Sequence, residues 1–245
     1  MGLKVTEPDL QTLAFIAEHR LVLPGHVAVL LDTSLQAATA RLRKLTEARY
    51  LRKDCVLGQQ ADYQITHRGL AAIGSRLPTP RRDLRAHQHD VGVAWLWLAA
   101  RAGTFGALDA MVAERRLRSQ DGAREPESEP LGVRMGGTGP HGRDRLHYPD
   151  LLLRTADGRR VALELELTPK SRTRLETILA GYGADPRIAG VVYLVQSQSI
   201  ARSVERAARK VGVSHLVHLQ RVRYHGANPP PGQAHALERA PETVR

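Results

Sequence analysis

The chain has 245 residues, 42% of them hydrophobic, and its 36 Lys and Arg against 25 Asp and Glu give a net charge of +11. That length accommodates one large or two modest domains with buried cores, and the charge favours a polyanionic partner, of which nucleic acid is the commonest. A single cysteine, Cys55, excludes an internal disulfide framework and a cysteine-ligated zinc site, and 4% aromatic content argues against a base-stacking platform.

The basic charge is spread along the chain rather than gathered in a tail, so both halves are able to meet DNA; a compositional preference for Arg and Ala is the alternative source. No apolar run approaches the length of a membrane span and the first residues show no signal-peptide pattern, so a soluble cytoplasmic protein is expected.

Residues 6 to 19 open with Thr6 as a cap and Pro8 in the first turn, then repeat apolar residues at Leu10, Leu13, Ala14 and Ala17, which predicts an amphipathic helix. A short helix follows Pro24. Thr33 or Ser34 caps a third, with Leu35, Ala38, Leu42 and Leu45 inward and Arg41, Arg43 and Lys44 outward. Tyr50 to Val56 and Ala61 to Ile65 read as a hairpin around Gly58-Gln59-Gln60, and Thr66 caps a closing helix that stops at Gly74. Residues 75 to 85, SRLPTPRRDLR, read as a linker. A long helix is expected from about Ala86 to Ala102, with His87 and His89 solvated or facing DNA. Ala107 to Leu117 is expected as a strand that brings Glu114 towards the centre of the second domain, and 118 to 146 as a long loop.

The densest chemistry lies in HYPDLLLRTADGRRVALELELTPK, His147 to Lys170. Side chains alternate along a strand, so Glu164 and Glu166 share one face while Val161, Leu163, Leu165 and Leu167 take the other. A two-residue loop of Asp157 and Gly158 would set Asp150 opposite Leu165, on the wrong face. A three-residue loop, Ala156-Asp157-Gly158 with left-handed Gly158, pairs Asp150 with Glu164, and this is the register expected. Three carboxylates that close repel one another unless a cation sits among them, and Mg²⁺ or Mn²⁺ suits an all-oxygen set. A half-exposed hairpin with a solvated charged face is the alternative. Beyond it, Ser171 to Tyr182 predicts a helix with Arg172 and Arg174 near its start. Ile188 to Val195 predicts a strand, Ile200 to Val211 a helix, His215 to Val222 a last strand, and residues 224 to 245 a disordered tail.

Helix, helix, basic helix, hairpin resembles a winged-helix DNA-binding domain over residues 1 to 75, carried by TSLQAATARLRKLTEARYLRK. The resemblance places the third helix in a major groove, with Arg41, Arg43 and Lys44 at bases or phosphates and Arg52 and Lys53 gripping backbone from the wing. Dimerisation or protein contact is the alternative use of such a domain. After a linker at 76 to 85, residues 86 to 223 resemble the restriction-endonuclease-like PD-(D/E)xK fold, with Pro149-Asp150 on one central strand and Glu164-x-Glu166 on the next. The expected class is therefore α+β, a winged helix followed by a mixed sheet flanked by helices. With ELELTPKS and the amphipathic helix after it, residues 6 to 223 resemble the replication-relaxation family of plasmids, phages and integrative elements, related to MobC-type mobilisation relaxases.

This resemblance implies Asp150, Glu164 and the Leu165 carbonyl as ligands of Mg²⁺ or Mn²⁺. Glu166 stands where the family has lysine, and serves as a third ligand or general base. Lys170 then becomes the group at the scissile phosphate, and Glu114 joins as a fourth carboxylate. The implied partner is double-stranded DNA, with replication or relaxosome proteins and a second copy of the chain as further partners. Two functions follow: a metal-dependent DNA endonuclease or nickase, or a DNA-binding regulator or replication accessory protein whose nuclease fold no longer cuts. Covalent catalysis by Tyr148, Tyr182 or Tyr193 is a third option that nothing in the sequence selects.

Overall fold

The computed structural model describes residues 4–55, 60–125, 127–139, 142–224 and 237–239. The chain divides into two compact units, the first built on Met1–Ala102 and the second on Gly103–Tyr224, and both mix helices with strands in the expected α+β class. Among the described residues no helix is long and apolar enough to cross a membrane.

In the first unit, α1 (Glu7–Glu18) starts at Thr6, whose amide and hydroxyl both donate to the Asp9 carboxylate at 2.9 and 2.6 Å. These bonds satisfy the donors a helix start leaves orphaned. Next come α2 (Pro24–Leu30) and α3 (Leu35–Glu47), the latter capped by Ser34 Oγ accepting from the Ala37 amide at 3.1 Å. Strands β1 (Leu51–Asp54) and β2 (Asp62–Ile65) pair antiparallel from Leu51 opposite Ile65 to Asp54 opposite Asp62, and an isolated antiparallel bridge joins Val22 to Tyr63. The Gly58-Gln59-Gln60 turn falls largely outside the described residues. Helix α4 (His67–Ala72) is capped by Thr66, as its sequence predicts.

Helix α5 (His87–Arg101) belongs to this unit, which corrects the expected boundary at residues 76 to 85. The cause is apolar burial. Trp95 is fully buried with its ring centroid 4.3 Å from His26, and Trp97 lies 5.1 Å from Phe15. The expected linker is strapped down as well. The Pro80 carbonyl accepts from Arg52 at 3.2 Å, and the Arg82 guanidinium meets Asp54 at 3.0 Å and also Asp62. His87 is buried with Nε2 at 3.4 Å from Asp62, so it is neither solvated nor DNA-facing.

The second unit begins with β3 (Leu108–Ala113) and α6 (Glu114–Gly122), so the strand expected through Leu117 turns to helix at Glu114. The expected long loop then holds a hairpin of β4 (Val133–Thr138) and β5 (Asp144–His147), with Val133 opposite His147. Four of its six β4 residues are Arg, Gly or Thr, which hid the strand from a reading of apolar alternation. The main sheet contains β6 (Leu151–Thr155), β7 (Arg160–Glu166), β8 (Ile188–Val195), β9 (Val217–Tyr224) and β10 (Leu237–Arg239) in the order β10-β9-β8-β7-β6-β3. β10 pairs beside β9, so the tail expected as disordered from residue 224 holds Tyr224 at the end of β9 and the strand β10; its remaining residues lie outside those described.

The strands β3, β6 and β7 alternate direction, whereas β7, β8 and β9 run parallel through the crossover helices α7 (Arg172–Ala184) and α8 (Gln198–Lys210). Leu152, Ala162, Val191 and Val195 on the sheet pack with Leu175, Ile178, Leu179 and Val204 on the helices. A Cβ on Gly181 would come within 2.8 Å of the Arg134 carbonyl oxygen, so only glycine lets α7 lie this close to β4.

If α5 completes the first core, Trp95→Ala costs about 4 kcal/mol. Urea denaturation followed by tryptophan fluorescence checks this, and a midpoint matching the parent would contradict it.

Candidate functional site

The β6–β7 turn sets the geometry of the site. Leu151 lies opposite Leu163 and Leu153 opposite Val161, which continues to Asp150 opposite Glu164. The Thr155 amide donates to the Arg159 carbonyl at 2.9 Å across Ala156-Asp157-Gly158, and Gly158 has φ +83°. This is the three-residue register, and the left-handed glycine makes it accessible without strain.

Asp150, Glu164 and Glu166 come to one region, with residual exposures of only 8, 2 and 5%. Their face is therefore the one that α7 covers, not a solvated one. Each carboxylate has a dedicated donor. The Leu165 amide donates to Asp150 Oδ2 at 2.8 Å. Glu164 Oε1 meets His147 Nε2 at 2.6 Å and accepts from the Tyr182 hydroxyl, while the His147 and Tyr182 rings stand edge to face at 5.6 Å. The Lys170 ammonium forms an ion pair with Glu166 Oε2.

The electrostatics follow from burial. Burial pushes the Glu166 carboxyl up; Lys170 pulls it down without fully compensating, and Glu164 and Asp150 push it further up. Burial works against the Lys170 ammonium, yet Glu164, Glu166 and Asp150 outweigh it and raise its pKa. Tyr182 is held well above the ordinary phenol value by burial and then by Glu164, and Tyr193 by burial and then by Glu164, Glu166 and Asp150. Both tyrosines are therefore neutral at physiological pH, and neither is poised as a phenolate nucleophile. Tyr148, pushed up to about 12 chiefly by burial, is no better placed.

Among the described residues no group of three or more His, Cys, Asp and Glu side chains is disposed to hold a metal ion. Glu166, expected as a third ligand or base, carries the lysine instead. The donors that fit a hard cation are narrower: the Asp150 and Glu164 carboxylates, set opposite each other, with the Leu165 carbonyl on the same strand. Glu164 Oε2 accepts no hydrogen bond among the described residues, which leaves it available to a cation.

Glu114 does not complete a fourth carboxylate. Its backbone amide donates to the Asp150 carbonyl at 3.2 Å, but its side chain turns along α6 to Arg118 at 2.7 Å. The sequence reading missed His147, which stands three residues before Asp150 at the end of β5. The signal was there in spacing, but the strand that aims it was not legible.

The expected DNA contacts divide into two sets. Arg43 and Lys44 on α3, Lys53 on β1 and Arg174 on α7 are exposed, with Arg43 loosely paired to Glu47 at 3.8 Å. Arg41 instead bonds Asp9 at 2.6 Å, tying α3 to the start of α1. Arg52 bonds Gln64 Oε1 at 2.8 Å and the Pro80 carbonyl, and Arg172 bonds Glu176 at 2.7 Å. Comparison of the chain with protein-family models, with curated proteins and with solved structures finds no match.

Removing one partner of a buried pair leaves the other charge uncompensated, so Lys170→Met costs about 3 kcal/mol at neutral pH. The folded pKa of Glu166 is raised above its unfolded value, and higher still without the lysine. Stability of the variant therefore rises as pH falls through that folded pKa, and its deficit against the parent narrows in acid. Adding Glu166→Gln recovers most of the loss. Chemical denaturation of the three proteins across pH checks this; a pH-independent deficit would contradict it.

Proposed function

We propose that the protein binds double-stranded DNA through its first unit and that its second unit is a metal-dependent DNA endonuclease or nickase. The observation that carries this reading is the pairing of Asp150 with Glu164 across the three-residue turn, with the Lys170 ammonium beside them. Support for DNA as partner comes from the charge of +11 and from exposed Arg43, Lys44 and Lys53 on the third helix and hairpin. A role in replication or mobilisation of a plasmid or other mobile element, with relaxosome proteins as partners, rests on the family resemblance of residues 6 to 223.

In this reading Asp150, Glu164 and the Leu165 carbonyl hold Mg²⁺ or Mn²⁺, which when bound lowers the pKa of water and neutralises charge at the phosphate. The Leu165 amide fixes the Asp150 carboxylate. His147 and Tyr182 fix the Glu164 carboxylate through one oxygen, leaving the other for a ligand. Lys170, partly open to solvent, exchanges Glu166 for a phosphate oxygen and stabilises the charge that develops there. Once Lys170 has turned to the phosphate, Glu166, with its raised pKa, is placed to take a proton from water.

The second reading is a DNA-binding regulator whose nuclease fold no longer cuts. It is favoured by the Glu166–Lys170 ion pair at the position where the resembled family has its lysine. Incubation of supercoiled plasmid with Mn²⁺ or Mg²⁺ separates the two. Nicking by the parent that drops at least a hundredfold in both Asp150→Ala and Glu164→Ala is the expected result. Equal nicking by all three, or none by the parent, would contradict the endonuclease reading.

A further inference from the structure

Helix α8 buries Ile200, Ala201, Val204, Ala207 and Ala208 and turns Arg202, Arg206, Arg209 and Lys210 outward. Positions 202, 206 and 209 are spaced i, i+4, i+7, so they form one stripe along the helix. Arg206 Nε donates to the Arg202 carbonyl at 3.2 Å, and neither Arg202 nor Arg209 has a carboxylate partner among the described residues. Like charges at this spacing repel, so the stripe works against the helix that carries it. Lys210 is drawn aside by Glu176 at 2.7 Å, which also holds Arg172, and Glu205 is the acidic residue exposed among the arginines.

The stripe is continuous with the candidate site. A groove of about 230 Å³ between the start of α7 and α8 is lined by Lys170, Arg172, Leu175, Ser203, Arg206 and Ala207. Lys170 thus faces the groove on one side and Glu166 on the other. We infer that the basic face of α8 and this groove form a second DNA-backbone surface, in which Arg202, Arg206 and Arg209 hold duplex phosphates and Arg206 joins the stripe to Lys170. The inference rests on the reading of the chain as a DNA-binding protein and adds to it contacts made by the second unit. The occupant follows from charge: a row of arginines without carboxylate partners among the described residues, beside a lysine that already holds one oxyanion, matches successive phosphodiesters.

The test uses the full chain and a labelled duplex, with affinity measured by anisotropy over a range of salt. Each phosphate neutralised contributes about 0.9 to the slope of log K against log salt, so Arg202→Gln, Arg206→Gln and Arg209→Gln together lower the slope by about 2 to 3. The control triple Arg76→Gln, Arg81→Gln and Arg85→Gln removes the same charge from the exposed strap and changes the slope by less than 1. Because the α8 arginines repel, the triple variant unfolds at or above the midpoint of the parent, which separates lost contact from lost fold. An unchanged slope in the α8 triple, an equal loss in the control, or a loss seen with single-stranded RNA but not with duplex overturns the inference while leaving DNA binding in place. Failure of the parent to bind duplex at all overturns both.

Discussion

Three carboxylates inside one hairpin are the constraint that the rest of the second unit accommodates. Ionised groups at this depth are costly unless each is paired or hydrogen-bonded. The chain meets that demand from three directions: a backbone amide from β7, a histidine from β5, and a tyrosine from α7. Lys170, just past Pro169, supplies the one permanent cation. The β4–β5 hairpin, the close passage of α7 at Gly181 and the position of Tyr182 all serve to complete that shell. Such an arrangement does little for stability compared with an apolar core of equal volume.

The first unit shows the complementary economy. Two of its buried carboxylates are held internally: Asp9 by Thr6 and Arg41, Asp62 by Arg82 and His87. Burial pushes Asp9 up, yet the Thr6 donors and the Arg41 guanidinium hold it below the ordinary carboxylate range. What remains outside on α3 and β1 is Arg43, Lys44 and Lys53. The unit thus separates cations that hold the fold from cations that face solvent. A count of arginines along the helix cannot make that separation.

Legibility in the sequence followed physical range. The β8 boundaries, the Thr66 cap and the β6–β7 register were readable because caps, alternation and a left-handed glycine act within a few residues. Three features were not. Helix α5 reads as an amphipathic helix in any company, and it is long-range contacts such as Trp95 against His26 and Trp97 against Phe15 that assign it to the first unit. Strand β4 carries glycines and arginine where apolar residues were sought, and only Val133 and Met135 of its six residues join the core, the rest being held by pairing with β5. Arg41 and Arg52 looked free because their partners, Asp9 and Gln64, lie 32 and 12 residues away. The same distance effect concealed the His147–Glu164 bond, which joins two strands that are not hydrogen-bonded neighbours.

The account depends on whether the Asp150 and Glu164 pair takes up a hard divalent cation. Titration of the full chain with Mn²⁺, read as loss of the free-ion signal in electron paramagnetic resonance, tests this without reference to DNA or to cutting. The account predicts one Mn²⁺ site that Mg²⁺ competes for and that both Asp150→Asn and Glu164→Gln abolish. Absence of that site in the parent, or its survival in both variants, would contradict it.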